Sequence, residues 1–239
     1  MLKTNKIIVT GGNGRFGRQL EKNSNNNFVF PNKKKFNILN LKLIKNYLKK
    51  MKPKYVIHLA GLSRPMMLHE KNIQKSINLN IIGTSNIVLA CSEFNVKLIF
   101  FSTSYVYPGK KGNYKETDPL LPMNNYAWSK LGAESAVQMY KNSLILRVSM
   151  TEKPFVHEAA YANMITNFIF HDDFIKIFKK IINKKGVINI GGKTSSVYDF
   201  AKKSKKKVKK IFIDRKTFPK MPINSSMNLN KLKKILRRK

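Results

Sequence analysis

Ile7-Ile8-Val9-Thr10-Gly11-Gly12-Asn13-Gly14-Arg15-Phe16-Gly17 is the stretch that decides the fold. A short apolar run ends in Thr10 and opens into Gly11, Gly14 and Gly17, spaced three apart, and Arg15 to Lys22 reads as a helix that starts inside the glycine segment. In a parallel sheet the ligand sits at the carboxyl ends of the strands, and the first strand-to-helix turn is the usual phosphate cradle. Glycines there allow a tight turn, let the backbone approach a pyrophosphate and permit close helix packing, while the helix N-terminus attracts the anion. Arg15 and Phe16, inside this segment, join Gly11, Gly14 and Gly17 as candidate dinucleotide contacts. No Gly-Lys-Ser/Thr closes this glycine segment, so an ATPase phosphate loop is not indicated here.

Outward from this loop, strand and helix signals alternate to about residue 150. A weak strand at Phe28-Val29-Phe30 precedes Leu41, Ile44, Leu48 and Met51 at helical spacing. Pro53 closes that helix ahead of a strand at Tyr55 to Leu59. One long helix is predicted from Glu70 to Glu93, then a continuous apolar strand from Leu98 to Phe101 of the kind buried on both faces. A helix from Asn124 to Tyr140 and a strand at Leu144-Ile145-Leu146 complete the series. This is the pattern of an α/β, Rossmann-type doubly wound parallel sheet. Beyond it come a helical stripe (Phe174, Ile177, Phe178, Ile181), a strand at Val187 to Ile190, a short helix at Ser196 to Lys203, a basic strand at Val208 to Ile213 and a helix at Leu229 to Leu236. The expected division is residues 1–150 as an NAD(P)-binding domain and 151–239 as a small, partly integrated C-terminal substrate lobe.

The adenosine ribose is read from an absence. A dinucleotide unit selective for NAD places Asp or Glu about 20 residues after the glycines. Between Glu21 and Glu70 this chain has no acidic residue, and Lys33-Lys34-Lys35 follow Phe30-Pro31-Asn32. A cation there favours a 2′-phosphate, so NADP(H) is expected over NAD(H), with Lys33 as its contact.

Composition bounds the rest. The 239 residues carry 47 Lys+Arg against 12 Asp+Glu, a formal charge of +35, with 42% hydrophobic residues, enough for a core. Only seven cations are Arg, and the lysines accompany abundant Asn and Ile, so drift on solvated faces explains the charge better than a nucleic-acid partner. The densest basic stretches are 202–210 and 231–239. Cys91 is the only cysteine, excluding a disulfide framework and a cysteine zinc site, and the four histidines have no metal-ligand spacing. No apolar run reaches the roughly 18 residues of a membrane span, and a cytoplasmic location is expected. Asp172 or Asp173 is expected to cap the helix after His171.

Tyr126 and Lys130 stand four apart on one helical face. A cation beside a phenol favours phenolate and makes the tyrosine a usable acid near neutrality. The spacing alone decides nothing, because 9 tyrosines and this many lysines give about 1.5 such pairs by chance, and three occur: Tyr107/Lys111, Tyr126/Lys130 and Tyr198/Lys202. Placement separates them. Pro108-Gly109 breaks any helix after Tyr107, Tyr198 lies outside the nucleotide half, and only Tyr126 starts a helix downstream of the hydroxyl-rich strand end Ser102-Thr103-Ser104.

The glycine loop, His58-Leu59-Ala60-Gly61, Asn80-Ile81-Ile82-Gly83-Thr84, Phe101 to Tyr107, Tyr126/Lys130 and Leu146-Arg147 follow in order. Together they resemble the extended short-chain dehydrogenase/reductases acting on nucleotide sugars. Pro222 to Lys231 is similar to the dTDP-4-dehydrorhamnose reductase branch. The resemblance implies Tyr126 as proton donor to a sugar carbonyl, Lys130 as the residue that holds the nicotinamide ribose and lowers the tyrosine pKa, and Thr103 as a hydrogen-bond partner of the carbonyl oxygen. It implies that Leu59, Ala60 and Gly61 line the cofactor, which supplies the hydride. The expected partners are a nucleotide-sugar substrate and a second copy in a homodimer. Two departures stand out: the reductases usually carry Asp where Ser104 stands, and the stretch between Arg147 and His171 is short. Beside the NADPH-dependent reductase stand an epimerase or dehydratase with tightly held NAD, and a non-catalytic NADP-binding regulatory subunit.

Overall fold

The computed structural model describes residues 4–214, 216 and 220–237; Arg238 and Lys239 of the basic stretch 231–239 lie outside them. In chain order the elements are β1 (Ile7–Thr10), α1 (Arg15–Lys22), β2 (Phe28–Val29), α2 (Leu41–Met51), β3 (Tyr55–His58), α3 (Met67–Lys71), α4 (Ile73–Ser76), a π-helical segment (Ile77–Ile82), α5 (Gly83–Glu93) and β4 (Lys97–Thr103). A 3₁₀ turn (Ser104–Val106), α6 (Asn125–Gln138) and β5 (Ser143–Val148) follow. The remainder is β6 (Met150–Thr151), β7 (Ala159–Tyr161), β8 (Ile165–Thr166), β9 (Ile169–Phe170), α7 (His171–Ile181), β10 (Gly186–Ile190), β11 (Ser195–Ser196), α8 (Val197–Lys202), β12 (Lys209–Ile211) and α9 (Asn230–Arg237).

The sequence-read alternation is present as a six-stranded parallel sheet in the order β10-β5-β4-β3-β1-β2. Its centre is in register from Ile7 through Tyr55 to Lys97 and from Thr10 through His58 to Phe100. All seven residues of β4 and all six of β5 are buried, as a strand covered on both faces requires. By compactness the chain divides into two units, residues 1–102, 128–145 and 182–186 in one, 103–127, 146–181 and 187–239 in the other.

In the first unit, α2 starts where Asn40 accepts a hydrogen bond from the Leu43 amide and stops at Lys52, left-handed at φ 45°. The long helix expected from Glu70 to Glu93 is broken. It starts earlier, at Met67, stops at Asn72, whose side chain caps the next turn by accepting from the Lys75 amide, and passes through a π-helical turn before α5. Ile73 and Ile77 are exposed whereas Ile87, Ala90 and Cys91 are buried, so no single buried face runs through these elements.

In the second unit, α7 buries Phe174, Ile175, Phe178 and Ile181, which accounts for the predicted stripe by packing. The helix begins at His171, placing Asp172 and Asp173 in its first turn and not in front of it; carboxylates there still complement the helix dipole. Short strands pair as β11 with β8, β12 with β7 and β6 with β9.

Candidate active site

The glycine loop is built as its spacing demands. Gly11 has φ +72°, and a Cβ there would lie 2.6 Å from the Ala60 nitrogen. A Cβ on Gly17 would lie 2.5 Å from the carbonyl oxygens of Gly11 and Gly12, so only glycine lets α1 pack onto the turn. Gly14 is the N-cap of α1 and offers no side-chain cap. The first amides of α1, those of Arg15, Phe16 and Gly17, have no intrahelical acceptor by position, while Arg18 donates to the Gly14 carbonyl. Arg15 is exposed, whereas the Phe16 ring is buried against Phe101 at 5.4 Å between centroids, leaving its backbone at the turn. This glycine-rich turn at the N-terminus of α1 fits a dinucleotide pyrophosphate. Phe30 packs on Gly12, and Lys33 lies exposed in the turn that Asn32 organises by accepting from the Lys35 amide.

Leu59, Ala60 and Gly61 come to the same end of the sheet, held by three side chains that sequence reasoning quoted as motif but assigned no task. Thr10 Oγ1 accepts from the Leu59 and Ala60 amides at 3.2 and 3.1 Å. Both its lone pairs are then used, so its proton goes to His58 Nδ1 at 2.8 Å, and His58 Nε2–H donates to Thr84 Oγ1 at 3.0 Å. Burial first, and the Lys130 charge second, push the His58 pKa down to about 3, so the imidazole stays neutral. Asn80 does the same work for Gly61 and Leu62. Its Oδ1 accepts from the Leu62 amide at 2.6 Å, and its Nδ2 donates to the Leu62 carbonyl at 2.9 Å and to Ser129 Oγ at 2.8 Å. A Cβ on Gly61 would meet Asn80 Oδ1 at 2.8 Å. Asn80 sits within the π-helical turn, a distortion that recurs at functional sites.

Lys130 lies one turn after Tyr126 in α6. Its Nζ is 4.2 Å from the centroid of the Phe100 ring, and burial pushes its pKa down to about 8 against the opposing pull of Glu134. Glu134 is fully buried and accepts from Ser102 Oγ at 2.6 Å. At neutral pH the Lys130 ammonium is still the major form. Tyr126 packs edge-on against Tyr105 at 6.3 Å, and the Tyr105 amide donates to Thr103 Oγ1.

The rival tyrosine–lysine pairs are occupied elsewhere. Tyr107 is buried, accepts from Arg147 Nη1 at 2.8 Å and donates to Asn189 Oδ1 at 2.8 Å. Burial pushes its pKa up to about 12, although Arg147 pulls the other way. Lys202 Nζ lies over the Tyr198 ring, 5.6 Å from its centroid. Ser104 is also committed: its hydroxyl pairs with Ser149 at 2.6 Å, and the ladder continues through Thr166 to Ser225.

Comparison with known proteins adds the following. The family model described as the RmlD substrate binding domain matches residues 5–179. The methionine adenosyltransferase 2 subunit beta of Danio rerio is 29% identical over 154 residues, 60% of this chain and 47% of that protein. The dTDP-4-dehydrorhamnose reductase of Aggregatibacter actinomycetemcomitans is 28% identical over 152 residues, 61% of this chain and 51% of its own length. The chain thus spans about half the length of the curated relatives it matches. Among solved structures, the dTDP-4-dehydrorhamnose reductase of Bacillus anthracis in complex with NADP superposes with a TM-score of 0.87 at 24% identity, covering 96% of this chain and 92% of that one. The UDP-glucose 4-epimerase of Thermus thermophilus in complex with NAD gives 0.77 at 18% identity, covering 98% and 93%. At these identities the structural likeness speaks to the fold. No helix among the described residues is long and apolar enough to cross a membrane.

Proposed function

The chain belongs to the RmlD substrate binding domain family, and on that premise we propose that it is an NADPH-dependent reductase of a nucleotide-linked 4-keto-6-deoxy sugar. The observation that carries the proposal is the pairing of a glycine cradle open to a pyrophosphate with Tyr126 one helical turn from a buried cationic Lys130. In this reading residues 1–150 hold the dinucleotide and 151–239 supply the substrate lobe. The amides of α1 take the pyrophosphate, and Lys33 takes the 2′-phosphate of the adenosine ribose. Leu59, Ala60 and Gly61 line the nicotinamide half, kept in place by Thr10, His58 and Asn80.

The bound nicotinamide supplies a hydride to the carbonyl carbon. As negative charge develops on the carbonyl oxygen, Thr103 donates a hydrogen bond to it and Tyr126 delivers its phenolic proton. The product is the alcohol, and the phenolate, stabilised by the Lys130 ammonium, recovers a proton from solvent. Lys130 also hydrogen-bonds the nicotinamide ribose.

The test is NADPH oxidation, followed by absorbance, with dTDP-4-keto-6-deoxyglucose alone and then with a 3,5-epimerase. Turnover that depends on the epimerase and falls by about 10²–10⁴-fold in Tyr126→Phe supports the reading. A second reading rests on two points: several relatives carry the name methionine adenosyltransferase 2 subunit beta, and Ser104, which stands where the resemblance leads one to expect Asp, is tied into a buried hydroxyl ladder. Saturable NADPH binding with no turnover on any keto sugar moves the weight to a dinucleotide-binding regulatory subunit.

A further inference from the structure

Glu134 takes no part in the hydride or proton transfer, yet it is fully buried, and an enclosed carboxylate is stable only where a cation and hydrogen-bond donors compensate it. Its surroundings supply both. Phe100 and Ser102 stand two apart on β4 and so point to one face of the sheet, about 7 Å from each other. Lys130 and Glu134 stand one turn apart on α6 and share one helix face, with Cβ atoms about 6 Å apart. The two elements meet in step: Lys130 Nζ lies 4.2 Å from the centroid of the Phe100 ring, and Glu134 Oε2 accepts from Ser102 Oγ at 2.6 Å. Gln138, a further turn along, donates to Glu134 Oε1 at 3.4 Å. Groups on both elements thus fix the carboxylate beside the ammonium.

The other titratable groups that face Lys130 carry no compensating charge. His58 on β3 has its ring centroid 6.1 Å from that of Phe100, and His69 lies on α3. Burial is the first cause that lowers both pKa values and the Lys130 charge a further one, so both imidazoles are mainly neutral at pH 7. Among the described residues Glu134 is the only carboxylate whose charge acts on Lys130; burial pushes the lysine down to about 8, and Glu134 opposes that fall. We propose that Glu134 is a positioning residue of the candidate active site: anchored by Ser102, its carboxylate keeps Lys130 in the ammonium form on which stabilisation of the phenolate depends. This role rests on the reductase reading of Tyr126 and Lys130, and adds to it the residue that holds the lysine charged. Glu134 acts through Lys130 and touches neither substrate nor cofactor.

Glu134→Gln keeps the shape and an acceptor for Ser102 and removes the charge. An opposite charge at this range is worth at least about one pH unit, so the alkaline fall of kcat/KM should move from about 8 to about 7 or below, with kcat/KM nearly unchanged at pH 6. Lys130 itself should titrate lower by the same amount in the ligand-free protein, followed by NMR of lysine labelled with carbon-13 at Cε, its signal identified by its loss in Lys130→Met. This second readout does not need turnover: a wild type that reduces no keto sugar counts against the reductase reading, whereas an unmoved Lys130 titration in Glu134→Gln counts against the role of Glu134. If Glu134→Gln does not fold, Lys130→Met/Glu134→Gln decides, since it removes both charges at once. It should be at least as stable in urea as Lys130→Met, in which the carboxylate loses its cation. A Lys130 titration that Glu134→Gln leaves in place, or a double variant less stable than Lys130→Met, would overturn the proposal.

Discussion

Acidification should loosen this fold through one histidine. His58 is 1% exposed, between Thr10 and Thr84, and its pKa is about 3 in the fold against an ordinary value of 6.5. The unfolded chain therefore takes up a proton at pH values where the folded chain does not. The sign follows: the contribution is complete above pH 6.5 and is lost as pH falls toward 3. Each unit in that window costs about 1.4 kcal/mol, so between pH 7 and pH 4 the loss from His58 alone is about 3 kcal/mol. Urea unfolding by circular dichroism at pH 7, 6, 5 and 4, on the wild type and on His58→Asn, isolates the effect. The 12 carboxylates titrate in both proteins, and their contribution cancels in the difference. The wild-type advantage should shrink by about 3 kcal/mol across the series. Parallel stability curves, or an imidazole titrating near 6.5 by NMR in the folded protein, would refute the reasoning.

Other expectations follow from the same geometry. Gly17→Ala pushes a methyl group to 2.5 Å from two carbonyl oxygens and must displace α1; NADPH affinity should fall at least ~10-fold, measured by fluorescence titration. Gly186→Ala, at φ +79° with nothing within 4 Å of its Cβ, should cost about 1 kcal/mol in strain and leave that affinity unchanged. Tyr107→Phe strands a buried Arg147 N–H and Asn189 Oδ1, and should lower unfolding free energy by about 1–3 kcal/mol without weakening NADPH binding. Because Lys130 loses its charge near pH 8, kcat/KM should fall as pH rises through about 8. A flat profile to pH 9 would show that its ammonium does not assist Tyr126.

Where residues form structure with their chain neighbours, the sequence was a good guide. The glycine loop, α1 at Arg15–Lys22 and α2 at Leu41–Met51 were legible because apolar spacing, glycine placement and Pro53 act locally. The break at Asn72 left a faint signal, an Asn three residues before the amide it caps. The π-helical turn left none, since it is stabilised by bonds from Asn80 to Leu62 and Ser129, far away in sequence. Two-residue strands such as β6 and β9 carry no period to detect. At the site, Tyr126 and Lys130 could be picked out by position. The neutrality of His58 could not, because it depends on burial and on the Lys130 charge, which only the fold brings to it.

The hydroxyl ladder from Ser104 through Ser149 and Thr166 to Ser225 also bears on how this protein evolves. Four segments separated by up to 121 positions share one chain of donors and acceptors. An Asp at 104 alone would bury a carboxylate among hydroxyls already engaged with one another. The four positions are therefore coupled: a change at 104 calls for matching changes at 149, 166 or 225, and each of those made first breaks the ladder.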